Sequence, residues 1–200
     1  MLLNLLDQLV DRCLQFGRQR QEKQRLSFTD SVEPVYQLCQ QVHTTYLANF
    51  AAYRALLHES PDLGASVEEL CGRLRQDNLF SAGQEAKVVA FMELSRQQLT
   101  SYVRDDLSIG FITDIRSYLS WAFSEVFGTH YTSGTLRVMS PVFRNTLTGR
   151  FRKLVAETAL SEDRKQTAAV KVIDGIVSEL QTGFSVVTKR YQLLRTAMNG

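Results

Sequence analysis

The sequence predicts an all-α fold, a bundle of six or seven helices with long, roughly antiparallel core helices. Three observations carry this expectation. Apolar residues recur three and four apart over most of the chain. The three prolines, Pro34, Pro61 and Pro141, coincide with helix-boundary signals. No segment sustains period-two alternation between turn residues, so strands have little support.

The elements follow in order. A first helix is expected over residues 2–25. Leu2, Leu5, Leu6, Leu9, Val10, Cys13 and Leu14 follow helical spacing, opposite Asn4, Asp7, Asp11 and Gln15, and its last third is wholly polar. Asp30 and Glu33 make a capping-box-like start for the second helix, with Pro34 in the first turn. Its seam is Val32, Val35, Cys39, Val42, Tyr46, Tyr53 and Leu56, with Asn49 the one polar intrusion, and Ser60-Pro61 ends it. Ser66 with Glu69 opens a short helix to about residue 78, and Ser81 with Gln84 opens a longer one to about 106.

Residues 111–127 differ in kind. Ile115, Leu119, Ala122 and Val126 form a stripe, but Tyr118, Trp121, Phe123 and Phe127 make the segment apolar nearly all round, the mark of a surrounded helix. GTHYTSGT, residues 128–135, reads as a loop. Ser140-Pro141 gives a helix start, and that helix is expected to reach about residue 160. Ser161, with Glu162 and Asp163 in the first turn, caps the last and longest helix. There Val170, Ile173, Val177, Leu180, Phe184, Val187, Tyr191 and Leu194 alternate three and four apart along roughly 36 Å. Such a period favours shallow-angle packing on another long helix. The second helix carries a matching pattern, so the two are expected to pair, unless the seam meets another copy of the chain.

Composition bounds the rest. At 200 residues, 44% hydrophobic and 22% charged, the chain suits a single helical domain, with residues 1–28 readable as a semi-independent N-terminal arm. A net charge of +2 is too small for strong attraction to nucleic acid or anionic lipid. Cys13, Cys39 and Cys71 are odd in number and lack C-x-x-C spacing, which points to a reducing, cytoplasmic setting. Asn4, Asp7, Asp11 and Arg12 interrupt the apolar start that a signal peptide needs, and no stretch is long and apolar enough to span a membrane.

No catalytic, metal or cofactor constellation stands out, so an enzyme is not the favoured expectation. Cys39 and His43 share a helix face but lack the further ligands zinc needs. Asp105-Asp106, read as closing a helix, with Gly110 and His130 marks a candidate ligand site at one bundle end. Two basic groups mark candidate nucleic-acid contacts: Arg18, Arg20, Lys23 and Arg25 on the first helix, and Arg144, Arg150, Arg152 and Lys153, with Arg137 before them. The leading expectation is a non-enzymatic helical adaptor or assembly subunit, acting on a protein partner or a second copy through helical surfaces. A nucleic-acid-binding accessory protein comes second, and an enzyme or small-ligand binder with a site in residues 106–135 third.

Overall fold

The computed structural model describes residues 2–21, 28–59, 62–77, 106–122, 129–132, 135–138 and 147–199. They form a helical bundle of α1 (Leu2–Gln21), α2 (Phe28–Glu59), α3 (Leu63–Asp77), α4 (Asp106–Ala122), α5 (Leu147–Ala156) and α6 (Glu162–Asn199). A short antiparallel hairpin, β1 (Thr129–Thr132) with β2 (Thr135–Val138), lies between α4 and α5 in the sequence.

Helices α2, α4 and α6 form the centre of the core, to which α1, α3 and α5 add buried residues. Residues of α2 meet α6 in reverse order, from Tyr36 beside Thr188 at 3.2 Å to Arg54 beside Asp174 at 2.8 Å and the Leu57 carbonyl beside Gln166 at 2.8 Å. The two are therefore antiparallel. Helix α4 also runs against α6, with Asp114 paired to Arg190 and Tyr118 packed on Gly183. The expected seam faces inward: Ile173, Leu180, Val187, Tyr191 and Leu194 are buried, and Val170, Val177 and Phe184 are half-buried against the core. Helix α1 lies along α2 through buried Leu9, Val10 and Cys13. Helices α3 and α5 pack on each other and on α6.

Several boundaries move from their expected places, each for a local reason. Helix α2 begins at Phe28, so Pro34 sits inside it rather than in the first turn, and Asp30 is not its cap. Helix α3 begins at Leu63, not Ser66. Asp62 is its cap, its Oδ1 accepting from the Ala65 N–H at 3.1 Å. Ser66 is buried and donates its hydroxyl to the Asp62 carbonyl at 2.8 Å, a bond to the preceding turn that leaves it no capping role. Asp106 is the first described residue of α4, and the helix it is expected to close lies outside the described residues.

The expected helix over 81–106 otherwise lies outside the described residues, as does the Ser140-Pro141 start. The following helix stops at Ala156 rather than near 160, and Lys165 satisfies one of its end carbonyls. Its ammonium, 8% exposed as a residue, donates to the Val155 carbonyl at 3.2 Å and to Glu162 at 2.8 Å, satisfying a helix-end acceptor. Ser161 caps α6 as expected, with its carbonyl accepting from the Lys165 N–H at 3.0 Å.

The segment read as a loop is the clearest correction. Thr129 pairs with Val138 and Thr132 with Thr135, leaving Ser133-Gly134 between the strands in sequence. Threonine, tyrosine and valine favour strands, and a two-residue link containing glycine suits a hairpin. Four residues per strand are too few for alternation to register as a period.

The α2 seam also shifts. After Tyr46 the buried positions are Phe50, Tyr53 and Leu57, while Asn49 and Leu56 fall beside the seam. A 3.6-residue helix drifts against a 3.5-residue reading, and one extra step of four brings Phe50 inward.

Candidate functional site

The interior and the outer side of α6 present two different kinds of chemistry. Inside, pairs spaced seven apart interleave from three helices: Tyr36 and His43 from α2, Phe111 and Tyr118 from α4, Phe184 and Tyr191 from α6. The Tyr36 ring stacks on Tyr191 at 3.8 Å, and His43 stacks on Phe184 at 4.1 Å, with planes within 11°. His43 Nδ1 and the Tyr118 hydroxyl share a hydrogen bond of 2.9 Å. Burial lowers the His43 pKa below its ordinary 6.5 and raises that of the Tyr118 phenol, so both groups are neutral near pH 7. Neutral, stacked and hydrogen-bonded, His43 is a core residue. No group of three metal-ligating side chains occurs among the described residues, so Cys39 and His43 have no further ligand beside them there. Burial pushes the Cys39 thiol up to about 12, which makes it a poor nucleophile.

Outside, α4 and α6 border a cleft of about 270 Å³. Asp114, Ser117, Tyr118 and Trp121 line it from one face of α4, and Glu179, Gly183 and Val186 from one face of α6. Gly183 brings the walls together, since a Cβ there would lie 3.1 Å from Tyr118 Cδ2. Asp114 is held by Arg190, whose Nε donates to Oδ2 at 3.0 Å. Leu193 lies one heptad beyond Val186 on α6, with Lys189 and Arg190 between them in sequence. Val186 and Leu193, 46% and 54% exposed, are the exposed large hydrophobic residues among the described residues. A second cleft, between α1 and α2, is lined mainly by exposed amides such as Gln8, Gln15, Gln37 and Gln41, and lacks aromatic walls.

The residues singled out in the sequence are distributed as follows. Gly110 lies inside α4, where a Cβ would come within 2.8 Å of the Arg190 guanidinium, so its smallness admits that side chain. Asp106 is one turn earlier on the same helix, and His130 sits on β1 opposite Arg137. Arg18 and Arg20 are on α1, while Lys23, Arg25 and Arg144 lie outside the described residues. On α5, Arg150 is half-buried, Lys153 is exposed, and Arg152 pairs with Glu68 of α3 at 3.5 Å.

Trp121 belongs in the sequence to a segment apolar nearly all round, and no local pattern marks Asp114, Glu179 or Val186. Their seven-residue spacings, 114 to 121 and 179 to 186 to 193, are visible in the sequence, but only the packing tells an outer heptad from an inner one.

The described residues thus form a helical bundle with one small hairpin, and no described helix is long and apolar enough to cross a membrane. Compared with protein-family models, curated proteins and solved structures, the chain matches none.

Proposed function

We propose that this chain is a non-enzymatic helical adaptor or assembly subunit that acts through the outer face of α6. One observation carries the reading. Val186 and Leu193 stand exposed one heptad apart on a 38-residue helix whose inner seam is already filled by its own bundle. A ladder of apolar residues at that spacing is what a partner helix reads when it lies along a groove. The occupant is a helix of a protein partner or of a second copy of the chain. The buried cysteines suit a reducing, cytoplasmic setting for such a subunit.

Light scattering on the purified chain, with affinity capture from its native cell, tests this. A defined oligomer, or a specific co-purifying protein at stoichiometric yield, supports the reading. A monomer at all concentrations with no specific partner removes it.

A further inference from the structure

The outer row of α6 is complementary to itself when a second copy runs the opposite way. Gly175, Glu179, Thr182, Val186, Lys189 and Leu193 recur four and three apart and are all exposed. They are placed evenly about the level of residue 184: Thr182 and Val186 two residues either side, Glu179 and Lys189 five, Gly175 and Leu193 nine. An antiparallel copy centred there sets Leu193 over Gly175, Lys189 beside Glu179 and Val186 beside Thr182, each contact made twice by the symmetry. The chain itself makes no other use of these features. A Cβ on Gly175 would meet nothing within 4 Å, so internal packing does not require a glycine in mid-helix, where only proline is less favourable. Neither Glu179 nor Lys189 has an ion-pair partner among the described residues. Thr182 donates its hydroxyl to the Ser178 carbonyl at 2.9 Å, so its polar group is already satisfied if the face is covered.

We propose that the outer face of α6 docks a second copy of this chain, antiparallel and twofold symmetric, with Leu193 seated on the partner's Gly175 and Glu179 paired with the partner's Lys189. This rests on the reading of α6 as the association surface and names its occupant. Charge sets the direction: a parallel copy would stack Glu179 on Glu179 and Lys189 on Lys189, a like-charge arrangement. Charge and the glycine together set the register, because a seven-residue slip either way puts Glu179 on Thr182 or Thr196 and takes Leu193 off Gly175. The row from Gly175 to Leu193 spans about 27 Å of helix.

Sedimentation equilibrium on the full chain measures the dimer directly. Glu179→Lys alone, or Lys189→Glu alone, is expected to weaken it at least about tenfold, and the double variant E179K/K189E to return it to within about threefold of the wild type. Gly175→Leu is expected to weaken it similarly with an unchanged circular dichroism spectrum, since the new side chain meets the partner's Leu193 but nothing near its own Cβ. Cross-linking reads the direction. Chains carrying Thr182→Cys are expected to form disulfides with chains carrying Val186→Cys more readily than either forms with itself, and the native cysteines are buried and do not compete. A dimer that tolerates both single charge reversals, or does not recover in the double variant, overturns the proposal. So do Val186→Cys chains that link best to one another. A monomer at roughly 100 µM also overturns it, and affinity capture then separates the two readings. A stoichiometric protein lost on Leu193→Asp leaves the adaptor reading standing, whereas no such protein removes both.

Discussion

Phe184 and Tyr191 on the inner side of α6, and Val186 and Leu193 on its outer side, are each one heptad apart. They differ in what stands opposite. Tyr191 meets the Tyr36 ring at 3.8 Å and Phe184 meets His43 at 4.1 Å, whereas Val186 and Leu193 remain 46% and 54% exposed. Apolar spacing alone therefore does not tell a core seam from an interaction surface. What separates them is whether the same chain supplies the covering side chains, and here α2 and α4 supply them on one side only. The inner side is expected to govern stability, the outer side association.

The strongest way to break that division is to hollow the inner seam. Ile173→Ala or Leu180→Ala removes a side chain with no exposure, and each is expected to cost about 2–5 kcal/mol in urea denaturation. A loss below about 0.5 kcal/mol in either variant contradicts an inward seam.

Overfilling the same interface sharpens the picture. Gly183→Val places a branched side chain where Tyr118 already stands 3.1 Å from a Cβ position, with an expected loss of about 1–3 kcal/mol. Gly110→Ala meets only the movable end of Arg190 and is expected to cost less, about 1 kcal/mol or under, with the Asp114 pair as the casualty. If the two glycines respond in the opposite order, the packing of α4 on α6 is not as described.

His43 supplies a pH test of the interior. Its pKa is lower in the folded chain than the ordinary 6.5, so below that pH the unfolded chain takes up the proton more readily. The His43 contribution to stability is thus constant above pH 6.5 and falls as pH drops from there toward the folded pKa. Chemical denaturation at pH 7.5 and at acid pH is expected to show a shallower decline in His43→Gln than in the wild type. Identical declines contradict a buried, neutral imidazole.

Much of this architecture was legible beforehand because burial periodicity reports one face of each long helix directly. Every expected position of the α6 seam is buried or half-buried against the core, and Ser161 stands at the N-cap position of α6. Local competition hid the rest. Asp62 took the cap that Ser66 with Glu69 also offered, since an acceptor directly after Pro61 starts the helix a turn earlier. The strands of the hairpin were too short for a period. Gly110, singled out as a ligand-site glycine, is explained by Arg190, a residue 80 positions away that no local pattern links to it. The α4–α6 cleft stayed invisible for the same reason. It needs Asp114 and Trp121 to meet Glu179 and Val186, and that meeting exists only once α4 lies antiparallel to α6.

The most direct measurement is a paired comparison on the outer side of α6, with Val186→Asp and Leu193→Asp combined in one chain. The account predicts an unfolding free energy within about 1 kcal/mol of the wild type, because neither side chain belongs to the core, together with loss of the oligomer or captured partner. Retention of the oligomer or partner by a folded double variant would contradict it.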